Sequence, residues 1–188
     1  SAFAARIFAR LLKIEQHEAE LPLDSYRNVA QLFTRRLKPE SRRLAEPPLL
    51  PVDGVLRSAG RVREGLMLQV KGCTYSIAKL LRDDQRAARF SSGAFINCYL
   101  SPRDYPRVHA PVDGALLELC HIPGKLWPVN RWAIDNIEDL FCVNERVILY
   151  LESSSGLVAV VMVAALNVGQ ISVAHDRLVT NIFTPPWR

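Results

Sequence analysis

Asp53 and His109 are a carboxylate and an imidazole, residue types that can carry proton transfer. A carboxylate that accepts the proton of one imidazole nitrogen fixes the tautomer and leaves the other nitrogen free as a base. Such a base can take the proton of a serine hydroxyl and turn it into a nucleophile. Each residue also has a plain structural reading. Asp53 falls in a Pro-Val-Asp-Gly turn, where Asp commonly bonds its own backbone, and His109 is a loop histidine. Other candidates are weaker. Ser153-Ser154-Ser155-Gly156 is a polar turn without a nucleophile-elbow pattern. Asn144-Glu145-Arg146 reads as local capping and pairing, and His121 and His175 read as structural residues at strand edges. The histidines form no HxH or HExxH pattern, and Cys73, Cys98, Cys120 and Cys142 contain no CxxC pair, so no metal site is expected. Scattered cysteines of this kind read as buried, reduced small hydrophobes of a cytoplasmic-facing protein.

The elements that must position this chemistry begin with Tyr99–Gly114, YLSPRDYPRVHAPVDG. It follows the apolar run Ala94-Phe95-Ile96 and holds Asp104, His109 and a closing Asp-Gly. Pro102, Pro106 and Pro111 each fix φ and withdraw a backbone donor, so the stretch is neither a helix nor a central strand. It reads as a strand feeding a stiff polar loop. Upstream, Phe3, Ile7, Leu11 and Ile14 recur at helical steps beside Arg6, Arg10 and Lys13, which predicts an amphipathic helix over 2–19. That helix either packs on the domain or lies in a lipid interface. A second helix is expected over Ser25–Leu37, capped by Asp24 or Ser25 and stopped before Pro39.

Past the basic, Pro-rich linker Ser41–Pro51 the pattern turns to short apolar runs between Gly turns, with one helix expected over Thr74–Arg86. Leu157–Leu166 reads as one or two buried strands. Pro51–Leu56 (PVDGVL) and Pro111–Leu116 (PVDGAL) repeat sixty residues apart as turns feeding strands, with Gly allowing positive φ. The expected fold is a single α+β domain. A helical, basic region over 1–44 precedes a β-rich core over 45–188, barrel- or sandwich-like and with related half-units.

At 188 residues with 49% hydrophobic and 23% charged side chains, the chain is long enough for one substantial core. The net charge of +5 is unevenly spread: residues 1–44 carry nine Lys/Arg against five Asp/Glu. A basic terminal quarter suggests an anionic partner. Without an RNA-binding aromatic signature, a helix-turn-helix or zinc-finger spacing, a membrane surface is favoured over nucleic acid. No apolar run approaches the roughly 20 residues of a transmembrane helix. Trp127, Trp132 and Trp187 could anchor at a lipid interface, although three tryptophans are ordinary in a chain of this length. The opening SAFAARIFARLL, without Met or a signal-peptide pattern, suggests a fragment or a processed product.

The stretch Tyr99–Gly114 resembles the core signature of the phosphatidylserine decarboxylase family, close to YLSPRDYHRVHMP-x-x-G. Matching segments continue in order as FTRRLKP (33–39), PVDG (51–54), KGCTYSIAKLL (71–81) and FSSGAF (90–95) upstream. Downstream they are IPGKLWPVN (122–130), LFCVNERV (140–147) and TPP (184–186). The resemblance implies a mainly β core and a pyruvoyl-dependent carboxy-lyase, made as a self-cleaving proenzyme. Such an enzyme converts phosphatidylserine to phosphatidylethanolamine and CO₂ through a pyruvoyl Schiff base.

It further implies that Asp53 and His109 form the self-cleavage relay, with a short pyruvoyl-bearing chain as partner. It implies a peripheral place on the cytoplasmic face of a membrane, and leaves homodimer formation open. Two departures stand out. No Leu-Gly-Ser or Gly-Ser pair occurs in these 188 residues, so the pyruvoyl serine must come from outside them. Pro106 occupies the position of the family's first His, and proline has no side-chain proton to give; Asp104 and Tyr105 do not obviously replace it. The alternative is a relative that has lost catalysis and binds lipid or a partner.

Overall fold

The computed structural model describes residues 1–68, 74–166 and 168–181, so Cys73, the first three residues of KGCTYSIAKLL, the TPP segment and Trp187 lie outside the described residues. The chain is α+β, with two compact units: 1–59 with 96–113, and 60–95 with the residues from 114 onward. No closed barrel forms among the described residues.

In the first unit, α1 (Ala2–Leu11) is capped by Ser1, whose Oγ accepts from Ala4 N. It packs through the fully buried Ala5 and Ala9 against Ile14, Tyr26 and Leu32. The periodicity had predicted a helix to residue 19, but it stops at Leu11. Lys13 takes a left-handed φ of 52°, which reverses the chain and buries Ile14 off the helix. Phe3, Ile7 and Leu11 stay exposed, four residues apart on one face.

The second expected helix shrinks to α2 (Val29–Phe33), capped by Asn28 rather than Asp24 or Ser25. Asn28 Oδ1 accepts from Gln31 N at 2.9 Å, and Gln31 Oε1 accepts from Arg27 N at 2.9 Å. Extended pairing ends it: Glu20 N donates to Arg36 O at 2.9 Å and Lys38 N to Glu18 O at 2.8 Å, and residues 36–38 cannot satisfy that ladder while helical.

Strands β1 (Val55–Arg61) and β4 (Ala94–Tyr99) pair as a two-stranded sheet, and the chain passes from one unit to the other within them. In the second unit β2 (Leu66–Leu68) pairs antiparallel with β3 (Thr74–Ser76). The expected helix over Thr74–Arg86 is instead β3, α3 (Ile77–Leu81) and α4 (Asp84–Arg89). Arg82 is left-handed at φ 51°, and Asp83 starts the next helix by accepting from Arg86 N at 2.9 Å.

The antiparallel sheet β5 (Gly114–Ile122), β6 (Arg146–Ser153), β7 (Gly156–Val163) carries the main core, with α5 (Arg131–Asn136) and α6 (Leu140–Val143) in the connection before β6. Ile148 and Tyr150 of β6 pack with Val62, Tyr75, Ile77 and Leu81. Most of Leu157–Leu166 forms the single strand β7, not two.

Both PVDG segments are bends that feed a strand, β1 and β5. The strands then pair differently, β1 with β4 and β5 with β6, so the repeat does not extend to their partners. Neither glycine has the positive φ expected of it. Close approach explains both: a Cβ at Gly54 would lie 2.6 Å from Tyr99 O, and one at Gly114 would collide with Glu152 O across the β5–β6 ladder. Gly114→Ala is therefore expected to destabilise the second unit by about 1–3 kcal/mol, as overpacking does. A urea melt is the check, and an unchanged midpoint would contradict this account of the glycine.

Candidate active site

The loop after β4 is held at both ends and in the middle. Asp104 closes a turn, accepting from Ser101 N at 2.7 Å while its own N–H donates to Ser101 O at 2.9 Å. The Arg107 guanidinium donates to Thr34 O from Nη2 at 2.9 Å and from Nε at 3.2 Å, and from Nε to Arg35 O at 3.3 Å, satisfying carbonyls that α2 leaves open. Arg35 returns the contact by donating from Nη2 to Arg103 O at 3.4 Å. Arg35 is buried at 4% exposure, and that burial pulls its pKa below the ordinary arginine value. At the far end, His109 N donates to Pro51 O at 2.8 Å and Leu49 N to Pro111 O at 2.7 Å. This ladder sets the Asp53 turn beside His109.

The Asp53 and His109 side chains lie in one unit, but no hydrogen bond joins them. Asp53 Oδ2 accepts from Arg42 Nε at 2.6 Å and Nη2 at 2.5 Å. The same guanidinium reaches Glu18 at 2.8 and 2.9 Å, so one arginine bridges two carboxylates. That hydrogen bond holds the Glu18 carboxyl below its ordinary value, against a smaller opposing effect of burial, while Glu18 and Asp53 together raise Arg42. The exposed His109 ring meets Tyr105 instead: Nε2 lies 3.2 Å from Tyr105 Oη, and the rings stack at 22° with centroids 5.7 Å apart. Burial pushes the Tyr105 hydroxyl up, and the charge of Asp53 adds to this against the lowering effect of Arg107. Pro106, half-buried, follows directly and offers no side-chain proton.

The sequence points to neither Arg42 nor Arg107, and it raises Tyr105 only as a stand-in for the His absent at position 106. Arg42 was counted only as linker charge, although it follows the Lys38-Pro39 of a matched segment. Tyr105 stands four residues before His109, and nothing in the composition says that the loop brings the rings together.

The weaker candidates are structural. Asn144, Glu145 and Arg146 are all buried. Arg146 donates to the carbonyls of Lys79, Leu80, Cys142 and Asn144. Asn144 brackets Trp127 and reaches Ala164 O, and Glu145 accepts from His121 Nε2 and from Asn181. The hydroxyl of Ser153 closes the β6–β7 turn onto Gly156 O. His175, expected at a strand edge, is instead exposed in a turn.

One unit thus holds a carboxylate clamped by arginine and an imidazole within hydrogen-bond distance of a hydroxyl, tied by a backbone ladder, and these are residue types that proton transfer uses. The family model for phosphatidylserine decarboxylase matches residues 29–181. The chain is 41% identical over 185 residues to the phosphatidylserine decarboxylase proenzyme of Myxococcus xanthus, covering 97% of this chain and 66% of that protein. It is 40% identical over 187 residues to that of Brevibacillus brevis (97% and 67%) and 41% over 186 residues to that of Pseudomonas aeruginosa strain LESB58 (96% and 63%). The chain thus spans no more than about two thirds of the length of these relatives. It belongs to the phosphatidylserine decarboxylase family.

The Arg42 bridge makes a pH-dependent prediction. The folded pKa of Glu18 lies below the ordinary 4.5, so its stabilisation is present above that value and lost as pH falls through the folded pKa. Glu18→Gln should lower stability by about 1 kcal/mol or less near neutral pH, because the pair is partly exposed. The gap to wild type should close in acid. Urea melts at pH 7 and pH 3 are the measurement, and a gap that widens in acid would contradict the sign.

Proposed function

We propose that this chain is the β-chain-like part of a phosphatidylserine decarboxylase, whose full protein converts phosphatidylserine to phosphatidylethanolamine and CO₂. The observation that carries the reading is the ladder that ties the Asp53 turn to His109, within a family match covering most of the chain. His109 takes the part of the base, removing the proton of a serine hydroxyl so that the oxygen can attack the adjacent peptide bond. Asp53 takes the part of its carboxylate partner. Arg42 holds Asp53 in an ion pair, and the carboxylate must exchange Arg42 for the imidazole to take that part.

The donor set fits the making of a pyruvoyl group: an exposed imidazole, a carboxylate in the same unit, and a neighbouring hydroxyl. In the bound state such a group supplies an electron sink for loss of a headgroup carboxylate as CO₂. His109 and Tyr105 are the residues that would flank it, and the serine it derives from lies outside these 188 residues. Among the described residues no group of three or more His, Cys, Asp or Glu could hold a metal ion.

A peripheral place on the cytoplasmic face of a membrane completes the reading. No described helix is long and apolar enough to cross a membrane. The exposed stripe Phe3, Ile7 and Leu11 (70%, 42% and 75% exposed) would enter the lipid, with Arg10 facing anionic headgroups and Arg6 paired with Asp24. The partners are then an anionic lipid surface and a short pyruvoyl-bearing chain. The competing reading, a lipid- or partner-binding relative without catalysis, draws on Pro106 alone.

Self-cleavage of the full-length gene product is the test, followed by denaturing intact-mass measurement. Wild type should yield two chains, the shorter with a blocked N-terminus. Asp53→Ala and His109→Ala should remain uncut over the same time, His109→Ala with the wild-type melting curve and Asp53→Ala still folded but less stable by about 1 kcal/mol or less through the loss of its Arg42 pair. Cleavage of His109→Ala at the wild-type rate would remove His109 from the role.

A further inference from the structure

A neutral imidazole carries its proton on either Nδ1 or Nε2, and the partner of one nitrogen decides which. The base role needs the Nδ1–H form with Nε2 bare, and a relay carboxylate ordinarily selects it. In this structure Asp53 faces Arg42, so it makes no such selection. Tyr105 is placed to make it. Its hydroxyl lies 3.2 Å from Nε2, and His109 is its only hydrogen-bond partner among the described residues. If Nε2–H donated to the phenol oxygen, the half-buried phenol O–H would have no acceptor among the described residues and would depend on water. Donation from Tyr105 to a bare Nε2 satisfies both groups.

The pair is not free to drift apart. His109 N is bonded to Pro51 O, Arg107, which stands between the two residues in the chain, is fastened to Thr34 O and Arg35 O, and Pro106 fixes φ directly after Tyr105. The raised pKa of the phenol keeps it a proton donor through the neutral range.

We propose that Tyr105 is a positioning residue that donates its hydroxyl proton to His109 Nε2 and so holds the imidazole in the Nδ1–H form until a serine hydroxyl takes the same place. The proposal rests on reading His109 as the base. No bond to carbon forms or breaks in this step; one O–H donor replaces another at the same nitrogen.

Long-range ¹H–¹⁵N spectra of the ¹⁵N-histidine-labelled full-length protein, above the titration of its imidazoles, test the assignment. The wild type should show His109 protonated at Nδ1 with Nε2 shifted as a hydrogen-bond acceptor. Tyr105→Phe should move His109 toward the Nε2–H form, with the signals of His17, His121 and His175 unchanged as a check on the fold. A wild-type His109 protonated at Nε2, or a tautomer that Tyr105→Phe leaves alone, would overturn it. Observation of the Nδ1–H form in a wild-type protein that never cleaves itself would support the Tyr105 assignment while sinking the functional reading.

Discussion

Two backbone hydrogen bonds, His109 N to Pro51 O and Leu49 N to Pro111 O, are the constraint on which the site depends. They join segments nearly sixty residues apart, each made stiff by proline. Neither segment could find the other through helix or hairpin formation, because Pro102, Pro106 and Pro111 remove the donors that regular structure would use. What remains is a short ladder with few possible registers. The guanidinium of Arg107, fastened to carbonyls after α2, then fixes the loop from its other side, so Tyr105, Pro106 and His109 have little freedom left.

The electrostatics of the first unit follow from that geometry. Arg42 stands between Glu18 and Asp53, holds the Glu18 carboxyl below its ordinary value, and occupies Asp53 in an ion pair that keeps it from bonding the imidazole. Arg35 is a cation taken out of water, and its Nη2 reaches only a backbone carbonyl. Burying a charge this way is expensive, and proteins keep such charges mostly where function uses them. The second unit handles its buried polar groups differently. Arg146 is satisfied by four carbonyls and Asn144 by three backbone groups, which makes the NER triplet a structural knot that aligns β6 for pairing with β5 and β7.

The parts legible in the sequence were those with local causes. Prolines predicted the stiff loop, apolar runs predicted β4 and β7, and the two PVDG turns each lead into a strand. The structure departs from the helical patterns where distant pairing or a local cap overrides them. The helical pattern of 2–19 was cut at Lys13, and that of 25–37 at Thr34, because residues 18–20 and 36–38 form a ladder with each other. The helix expected over 74–86 broke at Arg82, where Asp83 was a better cap than an interior residue. The two turn glycines were placed correctly for the wrong reason, since their need is for space and not for positive φ. The carboxylate and imidazole were legible as residue types. Their partners Arg42 and Tyr105 were not, since a charge in a linker and a tyrosine in a loop carry no local sign of what they will touch.

Release of CO₂ from carboxyl-labelled phosphatidylserine in mixed vesicles, by the full-length processed protein, tests the central claim most directly. The account predicts CO₂ and phosphatidylethanolamine in equal amounts. It also predicts a rate that rises about tenfold or more in Pro106→His, which puts a side chain able to give a proton where the family's first His stands; general acid catalysis typically contributes 10²–10⁴-fold. A processed protein that binds the vesicles but releases no CO₂, with or without Pro106→His, would contradict it and leave a lipid-binding relative.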